Sequence, residues 1–135
     1  MTVAEIAVTC GGVLTMMMGA FHITFPKRFG WAADFAKASA TNVRVLTTIH
    51  LALLILFLLV GALTIVFHAD LASARGLGGG LTLVMGLFWG WRAVWQLIYF
   101  RPPSGPGGAA RRRLHYAVAC HFVLSCLTYL APFAL

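Results

Sequence analysis

The chain has 135 residues, of which 61% are hydrophobic and only 10% charged. Soluble domains carry about 25% charged residues, so composition excludes an ordinary soluble enzyme or binding domain. The formal net charge of +7 would suit nucleic acid, but the placement of the basic residues assigns it to membrane topology and anionic headgroups instead.

Four apolar segments, at 4–25, 44–67, 77–99 and 114–133, each approach the ~20 residues that a bilayer crossing needs. They predict an all-α fold: an integral membrane four-helix up-down bundle forming one domain over residues 1–135. The first segment lacks the basic start of a signal peptide and carries Glu5, so it reads as a retained helix. Along it Gly11, Thr15, Gly19 and His22 align as a narrow face of small and polar residues.

The first connector, 26-PKRFGWAADFAKASATN-42, sets Phe29, Trp31 and Phe35 among its charges. That is the pattern of a short amphipathic segment lying in the interface. Ser39 to Asn42 supply caps for the second helix. There Thr47 lies beside His50, followed on the same side by Leu54, Phe57 and Gly61. The second connector, 68-HADLASARG-76, holds His68, which reads as solvated.

The third helix contains 86-GLFWGWRAVWQLIYF-100, with Arg92 in a membrane span. A charge at that depth costs at least ~2.5–3.5 kcal/mol, so it should face the interior. Met85, Phe88, Arg92, Gln96 and Tyr99 fall on one stripe. The small residues Gly79, Gly86, Gly90 and Ala93 lie opposite, a face suited to a homodimer or another helix partner. Trp95 and Tyr99 read as interfacial anchors. Phe88 and Trp89 are deeper and either pack the bundle or wall a flat ligand.

The third connector, 102-PPSGPGGAARRR-113, reads as a flexible loop. On the fourth helix His121 shares a face with Ser125 and Thr128. His115 falls about 120° away and reads as interfacial. Cys10, Cys120 and Cys126 lie in spans without a CxxC pair, as buried apolar thiols would.

Lys27, Arg28, Lys37, Arg44, Arg101, Arg111, Arg112 and Arg113 are in or beside the first and third connectors, against Arg75 alone in the second. By the positive-inside rule both termini lie outside and the two basic connectors are cytoplasmic. At 1.5 Å per residue, Arg92, His50 and His121 then sit roughly 10 Å inside the cytoplasmic boundary, with His22 nearer the surface. Four helices thus direct basic or titratable groups to one intramembrane site.

The strings 21-FHITFPKRFGW-31 and 88-FWGWRAVWQLIYF-100, with Asn42 and Arg44 before His50, resemble a set of small bacterial four-span membrane proteins of no established activity. The resemblance implies a bundle in the bacterial inner membrane and singles out His22, His50, Arg92 and Gln96.

Three ligand chemistries compete. Haem b would take His50 and His121 as axial ligands across the bundle, with Arg92 on a propionate and Trp89 over the macrocycle. Quinone would extend that redox role at the same pocket. A metal site would use His22, His50 and His121 around zinc, although Arg92 repels a divalent ion and no intramembrane carboxylate offsets it. The run 16-MMM-18 hints at copper but more simply packs. The third chemistry is a lipid phosphate or other anion on Arg92, whose fork suits bidentate phosphate binding. A non-catalytic accessory or transport subunit, alone or within a larger membrane complex, would carry that role. No Ser/His/Asp order, phosphate loop or carboxylate pair calls for catalysis.

Overall fold

A computed structural model describes residues 1–101 and 108–135 of the protein. Helix α1 (Val3–His22) opens with a capping box. The Thr2 hydroxyl accepts from the Glu5 N–H at 3.2 Å, and the Glu5 carboxylate accepts from the Thr2 N–H at 3.1 Å. Glu5 is thereby committed to a helix end.

Two short helices follow, α2 (Phe25–Arg28) and α3 (Trp31–Phe35). Gly30 joins them at φ 66°, a left-handed conformation that side chains disfavour. Ser39 caps α4 (Ala40–Val66) by accepting from the Asn42 N–H at 3.3 Å. Helices α5 (His68–Ala72) and α6 (Gly76–Ile98) come next. The last, α7 (Ala109–Leu130), runs into a 3₁₀ turn at Ala131–Phe133.

Four of these helices are long and apolar enough to cross a membrane: α1, α4, α6 and α7 with its turn. The described residues form an all-α bundle without strands, a multi-pass membrane protein. Helix α7 starts five residues before the expected 114, so Arg111, Arg112 and Arg113 ride on its first turns rather than in a loop. The remainder of the expected loop, 102–107, lies outside the described residues.

Helix α1 packs on α4 and on α7, and α7 packs on α6, whereas α4 and α6 barely touch. The bundle is therefore two hairpins joined through α1 and α7, with a seam between α4 and α6. Close backbone contact holds the first hairpin. A Cβ on Gly61 would lie 2.7 Å from the Gly12 carbonyl oxygen and 2.9 Å from the Met16 nitrogen. In lipid, where the hydrophobic effect does not drive helices together, such approach is the main source of association.

A hydroxyl cluster ties three helices together near the end that carries the termini. Tyr129 Oη lies 3.0 Å from Thr15 Oγ1 and 3.1 Å from Thr64 Oγ1. Both threonines also donate to their own helices, at Gly11 O (2.9 Å) and Val60 O (2.8 Å). The opposite, basic end carries α2, α3 and the start of α7, with most of the cations.

Two faces differ from the sequence expectation. On α6 the buried residues are Gly79, Thr82, Gly86, Trp89 and Ala93. The small-residue face is the inward one, because α7 of the same chain occupies it: a Cβ on Gly86 would meet Leu130 at 2.5 Å, and one on Gly90 would meet Cys126 Sγ at 3.3 Å. Gly86 and Gly90 are thus not a free seat for a second copy. The stripe of Met85, Phe88, Arg92 and Gln96 borders this face, half-buried, and Tyr99 is exposed. On α7, His115, Ala119, Phe122, Ser125 and Tyr129 are buried, so His115 points inward and not to the interface. Cys10 and Cys120 are exposed on the outer surface rather than buried.

Candidate functional site

His22 ends α1 with its Nδ1–H donated to the Met18 carbonyl at 2.8 Å. Its ring stacks on Phe25 at 4.3 Å and on His50 at 5.5 Å, with Phe57 edge-on at 5.2 Å. His50 in turn meets Phe25 at 5.7 Å and Trp31 at 4.7 Å. The left-handed Gly30 lets the first connector fold back, so α2 and α3 bring aromatic rings onto the two histidines. Both are buried.

Trp89 is fully buried, stacked between Phe57 at 5.4 Å and Phe122 at 5.5 Å. The column Phe57–Trp89–Phe122 draws one ring from each of α4, α6 and α7 and fills the bundle centre. His121 lies beside it, 6.1 Å from Trp89 and 6.0 Å from Phe122 between ring centroids. Trp89 Nε1 and His121 Nε2 are buried with no hydrogen-bond partner.

Arg92 is half-buried, its guanidinium carbon 4.9 Å from the Phe122 centroid and 5.5 Å from that of Trp91. Ring faces attract a cation by about 0.5–2 kcal/mol but accept no hydrogen bonds. Among the described residues Arg92 has neither an ion pair nor a hydrogen-bonded side-chain partner; the one ion pair joins the terminal amine to Glu5 at 4.0 Å. One turn on, Gln96 donates from Nε2 to His115 Nδ1 at 3.1 Å.

These groups border a cavity of about 1100 Å³ at the basic end. Its polar lining is His22, Lys27, Arg28, Arg92, Gln96, Arg101, Arg111 and His115. Its deeper wall is apolar and aromatic, with Leu53 and Phe57 on one side and Phe88, Trp89 and Phe122 on the other. No carboxylate lines it among the described residues. Glu5, Asp34 and Asp70, the chain's three acids, all lie elsewhere.

Of the residues singled out in the sequence, His22, Arg92, Gln96 and Trp89 come together on this cavity. His50 stands behind His22. His121 is not in the lining, and the ring contacts that connect it to His50 pass through Trp89, Phe57 and His22. The two histidines expected to face one another thus have aromatic packing between them. Nor do His22, His50 and His121 form a metal-holding group; none exists among the described residues. The expected set lacked His115 and the cations at the mouth. His115, Ala119, Phe122 and Tyr129 recur at helical spacing, a stripe that marks the inward face of α7 without reference to His121.

The chain matches no protein-family model, no curated protein and no solved structure. A helical bundle as such hosts many activities, so the chemistry of the site carries the functional information.

Proposed function

We propose that this protein binds an anionic amphiphile inside the membrane, as an accessory or transport component, with the acidic head at Arg92 and the apolar body against Phe57, Phe88 and Trp89. One observation carries the reading. Five Lys or Arg side chains and two histidines surround a single cavity whose described lining contains no carboxylate. A guanidinium in a membrane-spanning helix needs an anion, and the described residues supply none in the cavity lining. The ligand would supply that charge, while the aromatic wall suits a hydrocarbon body.

Redox use of haem b between His50 and His121 is less favoured, because Phe57 and Trp89 occupy the path between those rings. A colourless, monodisperse preparation from haem-replete cells is the outcome expected on the anionic-amphiphile reading, and a split low-spin haem spectrum would favour the redox role instead.

The direct test is native mass spectrometry of protein purified in a non-ionic detergent and offered equal amounts of phosphatidic acid, phosphatidylglycerol and phosphatidylcholine. Anionic lipids are expected to be retained preferentially. Arg92→Gln should remove most of that preference, roughly tenfold or more for one charge-assisted hydrogen bond, and Arg92→Lys should restore part of it. Equal retention of all three lipids by the wild-type protein would count against the proposal.

A further inference from the structure

The ligand's route into the cavity is set by the packing of the helices. Helices α1, α4 and α7 close the bundle on one side, through Gly12 on Gly61 and through Gly11 on Tyr129. Between α4 and α6 no comparable backbone approach occurs, and the gap is spanned by rings: Phe57 meets Phe88 at 6.1 Å and Trp89 at 5.4 Å. From that pair toward the basic end, the cavity wall passes from Leu53 on α4 to Phe88, Trp91 and Arg92 on α6. Trp91 is itself 53% exposed on the bundle exterior. The cavity wall thus reaches the outer surface of the bundle at Trp91.

We infer that the ligand is a phosphate-headed membrane lipid that enters sideways, through the seam between α4 and α6, and draws its phosphate down onto Arg92. The inference rests on the anionic-amphiphile reading and adds the ligand's class and its path. Charge complementarity selects a phosphate head. Arg92 lies six residues before the end of α6 at Ile98, or about 9 Å along the helix. A lipid phosphate that starts at the interface can slide down this wall without its acyl chain leaving the bilayer. The shared head chemistry would also admit a water-soluble phosphate from the aqueous mouth, where Lys27, Arg28 and Arg111 stand. The two sources differ in whether the seam matters.

The experiment uses Trp89 as the reporter, because it is fully buried and lines the cavity. The full chain with Trp31, Trp91 and Trp95 changed to Phe is reconstituted into phosphatidylcholine vesicles. These are doped with phosphatidic acid or phosphatidylcholine brominated on the acyl chain. Brominated phosphatidic acid is expected to quench Trp89 at a mole fraction roughly tenfold lower than brominated phosphatidylcholine, the ratio that one charge-assisted hydrogen bond supplies. Leu53→Trp would add a second fluorophore, so the seam is blocked with Leu53→Phe and widened with Leu53→Ala. Blocking should slow the onset of quenching and widening should hasten it. Unchanged onset in both variants, with quenching still selective for phosphatidic acid, overturns the lateral route and leaves the anion site standing. Equal quenching by both brominated lipids overturns the site as well.

Discussion

Arg92 shows how a single residue commits its surroundings. Its neighbours Phe122 and Trp91 shield its charge with ring faces, and among the described residues its N–H groups have no side-chain acceptor, which leaves them open to the anion proposed above. Tyr129 is the opposite case, a polar group whose needs are met internally. Thr15 and Thr64 each donate to a backbone carbonyl, and the tyrosine hydroxyl has one proton to give to either. Removing it orphans neither threonine donor. Tyr129→Phe is therefore expected to cost only about 1 kcal/mol, in line with hydrogen bonds between membrane helices. Thermal unfolding in detergent should show a small decrease with lipid selectivity intact. Loss of that selectivity would mean that the hydroxyl cluster and the cavity are coupled.

Among the elements, the α1–α4 hairpin depends most on the absence of side chains. At Gly61 the atoms a Cβ would meet include the Gly12 carbonyl oxygen at 2.7 Å and the Met16 nitrogen at 2.9 Å. These are main-chain atoms of a helix and cannot swing aside, so Gly61→Ala must push the helices apart. We expect a marked fall in thermal stability for Gly61→Ala, and none for Gly80→Ala, where nothing lies within 4 Å. Replacing that exposed helical glycine removes a residue about 1 kcal/mol poorer than Ala in helix propensity. Comparable melting of the two variants would refute close backbone packing as the source of the hairpin's cohesion. The short helices α2 and α3 work differently, through Phe25 and Trp31 laid on His22 and His50. Gly30 makes their reversal possible, and its φ of 66° resists any side chain.

At the scale of the whole molecule the charge distribution sets an expected orientation. Eight Lys or Arg residues flank the basic end and Arg75 alone lies in the connector at the other, so the basic end is expected in the cytoplasm with both termini outside. Reporter fusions after Gly107 should behave as cytoplasmic and those after Ala72 as external. The reverse pattern would place the cavity mouth on the far side and change which leaflet supplies the lipid. The weakly packed seam between α4 and α6 belongs to this scale too, because no single helix reveals it.

The sequence by itself determined the number of spans, because hydropathy acts locally and twenty apolar residues are legible in any order. It also determined the inward face of α1, where Gly11, Thr15, Gly19 and His22 are buried as their spacing implies. The same holds for His50, Phe57 and Gly61 on α4. Rotation of α6 and α7 was decided only by tertiary packing. On α6 the polar stripe and the small-residue face are both plausible interiors. The close approach of α7 at Gly86 selected the second and swung Arg92 to the cavity edge. On α7 the depth of His121 matched that of His50, but depth carries no information about which rings come between. Trp89, Phe57 and Phe122 converge from three helices, and that convergence separates the two histidines while bringing His115 onto Gln96. A pairwise meeting of side chains across helices depends on helix rotation and neighbour order, and neither is written in the periodicity of one segment.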